Sequence, residues 1–350
     1  MRRWFFALLL LPAGIPAYAG RGRWASTGPE DSVYLVVPDP VRPGVVYASV
    51  GSPESLFRST DGGDSWIPIV SPWPYSIAAD SSDPDVVYVG GFSISRSEDA
   101  GATWQSVAPG LTANYVGPIV IAPEDPDVLY VETHTLNSGT YSSGTYGFAR
   151  VERRSDGTYD WSVPDPDFTT QVTGLVADAS SSGTIFASGM GGVYRSSDGG
   201  DSWSTLSTGL PADTSAAGIA ISPGAPSWIY APVGITTTPV GGVVVSRDGG
   251  ETWALETNGL SAGPLRCAAV DPRDRETAYV GSVDAGVFRS VDGGRSWQPF
   301  SAGLSSLTVY SLAVDAGGRV YAGTGDGVFA IDPVSVDPAA VAKPAIVRRR

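Results

Sequence analysis

A short motif, Ser-x-Asp-x-Gly-x-(Ser/Thr)-Trp, recurs along the chain and limits the possible folds more than any other feature. Five copies are complete, and a sixth is reduced, with Thr158 where glycine is expected. A repeat with a period of a few tens of residues indicates a solenoid, a propeller or another array of small units. The aspartate and tryptophan of the six copies are Asp61 and Trp66, Asp99 and Trp104, Asp156 and Trp161, Asp198 and Trp203, Asp248 and Trp253, and Asp292 and Trp297.

A second periodic feature, a β-branched strand with one aromatic residue, occurs seven times rather than six. Each motif tryptophan precedes the next of these aromatics by 22 to 27 residues, and Trp24 precedes Tyr47 by 23. Trp24 therefore belongs to a seventh unit, whose own motif is missing after Phe329. We predict an all-β, seven-bladed β-propeller in which the N-terminal strand completes the last blade, because this closure pairs otherwise free strand edges. The seven aromatics are Tyr47, Tyr88, Tyr130, Phe186, Tyr230, Tyr279 and Tyr321.

The motif itself predicts a structural turn. Its aspartate can accept backbone N–H bonds, its glycine can adopt a conformation that other residues resist, and its tryptophan can be buried between strands. One carboxylate per turn provides too few oxygen ligands for calcium. With Cys267 the only cysteine and His134 the only histidine, we expect no disulfide, no metal site and no cofactor. The arginines that precede the motif serines are expected to pack their stems along the strand: Arg58, Arg96, Arg195 and Arg289.

The N-terminus has the pattern of a cleaved signal peptide: two arginines, an apolar run from Trp4 to Ile15, and Ala-Tyr-Ala ending at Ala19. The apolar run is too short to span a bilayer stably. We therefore expect residues 1–19 to be removed, and the protein to be secreted or periplasmic. Residues 20–333 should form the propeller, and residues 334–350 a tail without the repeat.

The chain carries a formal net charge of −14. Such a surface repels phosphate backbones and anionic lipids, so neither nucleic acid nor a membrane is expected as a partner. We expect a monomer that binds a protein or a glycan.

Two units depart from the repeat by longer loops between their second and third strands, at residues 135–147 and 234–242. In a propeller these loops lie on the face opposite the motif turns. Aromatic residues near them suit a glycan or peptide surface. Trp73 could equally fill its Pro-flanked loop against the blades instead of binding a ligand. For His134 a structural role is favoured over a role in proton transfer. The candidate binding residues are Trp73, Tyr75, Tyr115, Glu132, His134, Tyr141, Tyr146 and Phe168.

The motifs, the aromatic strands and the ring-closing start resemble the Asp-box (BNR) propeller superfamily over residues 20–333. Sialidases share the motif, but that resemblance implies six blades and a trio of arginines that is not found here. Xyloglucanases are similar in blade number but pair two propellers around a catalytic cleft. Photosystem II assembly and stability factors are most similar in layout, although their basic docking patch has no counterpart apart from the arginines at 348–350.

No catalytic constellation stands out, so we expect an exported, non-catalytic binding or assembly scaffold. The alternative is a glycoside hydrolase with a shallow acidic site. It would need two carboxylates about 5–10 Å apart, for which Glu132, Asp165 and Asp167 are the candidates. A purely structural repeat within a larger surface assembly is a third possibility.

Overall fold

The protein folds as a ring of seven small β-sheets, which confirms the predicted all-β, seven-bladed β-propeller. The computed structural model describes residues 22–51, 54–69, 74–107, 115–136, 144–165, 167–168, 170–206, 214–225, 227–235, 241–261 and 263–332. The predicted signal peptide and tail, together with Trp73 and Tyr141, lie outside these residues. Within them, every regular element is a β-strand.

The blades are numbered in chain order, and their strands run from the axis outward. Blade 1 contains β2 (Val33–Pro38), β3 (Val46–Gly51), β4 (Glu54–Ser59) and β5 (Ile67–Ile69). Blade 2 contains β6 (Ser76–Ala79), β7 (Val87–Gly90), β8 (Ile94–Ser97) and β9 (Gln105–Val107). Blade 3 contains β10 (Tyr115–Ala122), β11 (Asp125–Leu136), β12 (Gly144–Arg153) and β13 (Tyr159–Ser162).

The remaining blades follow the same antiparallel order. Blade 4 contains β14 (Val172–Ala177), β15 (Ile185–Gly189), β16 (Gly192–Ser196) and β17 (Ser204–Leu206). Blade 5 contains β18 (Thr214–Ala216), β19 (Ala220–Ile221), β20 (Ile229–Ile235), β21 (Gly242–Ser246) and β22 (Ala254–Glu256). Blade 6 contains β23 (Leu265–Asp271), β24 (Asp274–Ser282), β25 (Val287–Ser290) and β26 (Gln298–Pro299), and blade 7 contains β27 (Val309–Val314), β28 (Val320–Thr324), β29 (Gly327–Ile331) and β1 (Ala25–Ser26).

The N-terminal strand β1 closes the ring by pairing with β29, with Ala25 opposite Ala330. Trp24 is held like a motif tryptophan. Its backbone N–H donates to Ala302 O at 2.9 Å, as the backbone N–H of Trp297 donates to Asn258 O in blade 6. Gly303 has a φ of +110°, and a Cβ there would lie 2.3 Å from Trp24 O, so this contact needs glycine. The two ends of the propeller therefore share one sheet.

The hydrophobic core lies between the blades. Buried apolar side chains of the described residues form one cluster at each junction of neighbouring blades. The predicted strand aromatics are among the largest members, and Tyr47, Tyr230 and Tyr321 are completely buried. An arginine on the next strand packs over several of these rings, with Arg58 Cζ 6.0 Å from the centroid of Tyr47. The arginines that precede the motif serines thus pack along the strand.

The motif turns and the turns between first and second strands share one face of the ring, here called the motif face. In blade 1 the two are joined by the Gly62 N–H, which donates to Gly44 O at 2.8 Å, and blades 2, 4, 5 and 6 have the same bond. The hairpins between second and third strands and the starts of the first strands lie at the opposite ends. This opposite side is called the loop face.

Candidate functional site

The first strands of four blades contain a β-bulge near the loop face. The ladder skips Tyr34 in β2, Thr173 in β14, Arg266 in β23 and Tyr310 in β27. A bulged residue has no direct partner, and the bulge redirects its side chain. All four residues line the propeller axis.

These residues surround a central cavity of about 910 Å³ that opens on the loop face. Its volume is in the range of ordinary ligand sites. Hydroxyl, amide and apolar groups share its lining, and Arg266 is the one charged side chain among the described lining residues. The Arg266 guanidinium packs over the Tyr310 ring at 5.0 Å, and the ring centroid of Tyr34 lies 4.9 Å from that of Tyr310.

A row of rings extends from the cavity across blades 2 and 3. The ring of Tyr75, which also lines the cavity, lies 5.1 Å from Tyr115, and Phe92 lies 5.2 Å from Tyr115. His134 continues the row at 6.3 Å from Tyr115 and stacks on Tyr146 at 4.2 Å, with the two planes 15° apart. Four of the predicted binding residues, Tyr75, Tyr115, His134 and Tyr146, are thus brought together.

Glu132 lies on the same strand as His134 but is enclosed, with 5% of its surface exposed. It faces Gly117, where a Cβ would lie 2.1 Å from Glu132 Oε2, so a glycine is needed to leave room for the carboxyl group. Burial raises the pKa of Glu132 to about 8, against a smaller lowering by the Gly117 N–H. The carboxyl group therefore holds its proton at neutral pH.

The loop face also exposes large apolar side chains around the cavity. Tyr34 and Tyr75 lie at its rim, and Phe92 (51% exposed) and Met190 (63%) lie in hairpins between second and third strands. Leu307 lies in the connection from blade 6 to blade 7 and is exposed as well. Exposed apolar side chains grouped around a cavity indicate a binding surface.

Phe168 differs from the prediction. It was expected on the binding face, but its ring is buried (7% exposed) and stacks on Trp203 at 4.5 Å between blades 3 and 4. The connection that carries it folds back into the core, because an exposed ring there would leave that junction unfilled. Asp165 and Asp167 form a turn beside it, in which the Asp167 N–H donates to Asp165 Oδ1 at 3.1 Å. Neither aspartate lines the central cavity.

The five complete motifs form one repeated hydrogen-bond arrangement. In blade 2, Ser97 Oγ donates to Asp99 Oδ1 and accepts the Gly101 N–H, while the Thr103 hydroxyl and N–H donate to the two oxygens of Asp99. The donors on Thr103 and then Ser97 lower the pKa of Asp99 to about 2. In the reduced motif Asp156 is bonded by Thr158 alone, and Trp161 is 37% exposed, whereas Trp253 and Trp297 of complete motifs are buried.

Sequence reasoning missed Tyr34, Phe92, Arg266 and Tyr310. Their signal was present, since Tyr34, Arg266 and Tyr310 occupy equivalent positions one residue after a buried residue at the start of the first strand. Only the bulge shows that these side chains point to the axis. Among the described residues no group of three or more His, Cys, Asp or Glu side chains could hold a metal ion, and no helix could cross a membrane.

No family model matches this chain. Xyloglucanase Xgh74A of Acetivibrio thermocellus is 28% identical over 214 residues, which are 47% of this chain and 25% of that protein. A xyloglucanase of Paenibacillus sp. is 27% identical over 216 residues, 54% of this chain and 17% of that protein. The chain thus spans a quarter or less of the length of these relatives.

Solved structures with the same fold include a GH74 enzyme and YCF48. A GH74 enzyme of Niastella koreensis matches with a TM-score of 0.69 at 18% identity, over 90% of this chain and 54% of that one. YCF48 of Cyanidioschyzon merolae matches with a TM-score of 0.62 at 18% identity, over 88% of this chain and 98% of that one. A structure of YCF48 bound to D1 peptide has a TM-score of 0.62 at 14% identity, over 93% and 100% of the two chains. At such identities the likeness shows the fold.

Proposed function

We propose that this protein is an exported, non-catalytic scaffold that binds a protein or a glycan on its loop face. One observation carries the proposal: the central cavity, the row of rings and a group of exposed apolar side chains lie together on that face. Aromatic rings beside hydroxyl groups suit both kinds of ligand. Export rests on the signal-peptide pattern at residues 1–19.

Two comparisons support a scaffold. YCF48, which this chain covers almost completely, has been solved with a peptide bound. The curated xyloglucanases that this chain resembles are at least four times as long as the matched region, so the likeness covers a minor part of those enzymes. The repeated Ser-Asp turns support membership of the Asp-box propellers.

Arrays of peptides and of glycans, probed with the mature chain, test this function. We expect ligands to be retained by the wild type and lost when Tyr34 and Phe92 are both changed to alanine. Val291 is the matched control, because it is an equally exposed apolar residue in a motif turn on the opposite face. Equal binding by the double variant, or loss of binding in Val291→Ala, would place the ligand elsewhere.

A glycoside hydrolase is the second candidate, and two observations favour it. The chain is similar in sequence to xyloglucanases, and Glu132 holds a proton at neutral pH, as a general acid must. Against it, Glu132 is enclosed and no second carboxylate lines the cavity among the described residues. Incubation with xyloglucan oligosaccharides should release no product. Product formation that disappears in Glu132→Gln would favour the hydrolase instead.

A further inference from the structure

Arg266 differs from several of the arginines that pack over the strand aromatics. Arg96 pairs with Glu98, and Arg195 pairs with Glu251 at 2.6 Å, so a carboxylate neutralises each of them. Arg266 is exposed on the axis and forms no ion pair with any described residue. An unpaired cation is thus displayed at the entrance of the central cavity in a protein with a net charge of −14.

The stacking of Arg266 leaves its hydrogen-bonding edge available. The guanidinium carbon lies over the Tyr310 ring, 5.0 Å from the ring centroid. The N–H groups of a guanidinium form a planar fork that matches the two oxygens of a carboxylate. The cavity therefore offers a cation that can bind an anionic group from two sides of one fork.

We infer that the central cavity binds a carboxylate of a peptide, with Arg266 as the anchoring cation and Tyr34 and Tyr310 as the walls beside it. The inference rests on the proposed binding function and names its ligand class. A peptide is favoured over an acidic glycan because Met190 and Leu307 are exposed on the loop face. Such aliphatic surface gains from contact with apolar peptide side chains.

The binding test uses three pools of fluorescein-labelled peptides with the same apolar residues near the C-terminus. The first pool ends in a free carboxylate, the second in an amide, and the third in an amide preceded by glutamate. We expect the full chain to bind the first or the third pool about tenfold or more tightly than the second, the gain typical of a charge-assisted pair. The pool that binds identifies the source of the carboxylate.

Arg266→Gln should remove this preference, and Arg266→Lys should restore only part of it. Arg275→Gln is the matched control: Arg275 is also exposed and packs over a ring, Trp228, at 4.9 Å, but on the motif face. It should bind like the wild type. Unchanged thermal melting of all three variants shows that each is folded.

The outcomes separate this inference from the proposed function. Equal binding of all three pools that is lost in Tyr34→Ala but kept in Arg266→Gln would overturn the carboxylate site and leave the scaffold standing. Binding of glucuronate-containing oligosaccharides through Arg266, with no peptide bound, would replace the peptide by a glycan. If no peptide or oligosaccharide binds in a way that depends on Tyr34 or Arg266, both the carboxylate site and the proposed scaffold function are overturned.

Discussion

At the scale of single residues, the enclosed Glu132 makes the stability of the protein depend on pH. Its pKa is raised from 4.5 to about 8 in the fold. Between these values the unfolded chain has lost the proton and the folded chain retains it, so stability falls as pH rises through this window. We expect a melting temperature that declines from pH 5 to pH 8 and levels off above that.

Glu132→Gln is the control, because it keeps the shape of the side chain and removes the titration. The variant should melt above the wild type at pH 9, while the difference should be small or reversed at pH 5. If the melting temperatures of the two proteins change with pH in the same way between pH 5 and pH 9, the carboxyl group is not enclosed.

The motif aspartates give a second prediction at this scale. Asp292 accepts bonds from Ser290 Oγ and from the N–H and hydroxyl of Ser296. Burial raises the pKa of Asp292, but these bonds outweigh it and bring the pKa below the ordinary value. The stability that they supply is therefore lost as pH falls through the acidic range. Asp292→Ala should cost about 1–3 kcal/mol at pH 7.

Asp156→Ala is the comparison, because Asp156 is exposed and bonded by Thr158 alone. Chemical denaturation at pH 7 should show a clear loss for Asp292→Ala and little change for Asp156→Ala. Equal losses would mean that the complete and the reduced motifs stabilise their blades alike.

At the scale of strands, the closing strand β1 depends on the buried indole before it. Trp24 is 4% exposed, and its Nε1–H donates to Phe300 O. Removal of a buried Trp ring costs about 3–5 kcal/mol, and here the loss also frees the pairing of β1 with β29. We expect Trp24→Ala to lower stability far more than Trp161→Ala, whose ring is already partly exposed. Similar melting temperatures for the two variants would contradict this role of β1.

The strands and their order could be predicted because the motif tryptophans and the strand aromatics recur at a regular spacing along the chain. The spacing of Trp24 to Tyr47 matches the other units, and the closure through β1 follows from it. The position of Phe168 could not be predicted, since a connection of irregular length can turn either way. Arg266 was missed for another reason: an alternating strand pattern assigns it to a blade surface, and only the bulge turns it to the axis.

At the scale of the whole molecule, neighbouring blades are joined by packed side chains and by separate hydrogen bonds, such as that from the Tyr230 hydroxyl to Arg275 O. In blade 7, by contrast, the two chain ends share a strand ladder. The two faces differ in their contacts. On the motif face, hydrogen bonds join two turns within the same blade, whereas on the loop face the starts of the first strands surround the cavity. A ligand on the loop face can therefore contact several blades without disturbing the turns that hold them.

A circular permutant tests how much the shared sheet contributes. Ile331 pairs with Val320 as Ser290 pairs with Ala278, so it stands where other blades have the motif serine. The permutant changes Ile331 to serine, joins it to Trp24 through a copy of the six residues from Val291 to Ser296, and opens the chain within residues 207–213. Because the new ends lie between two blades, no strand ladder spans the break. We expect the same circular dichroism spectrum and several-fold faster unfolding in denaturant. A permutant that does not fold would show that Trp24 is not equivalent to a motif tryptophan, and an unchanged unfolding rate would show that the shared sheet does not hold the ring closed.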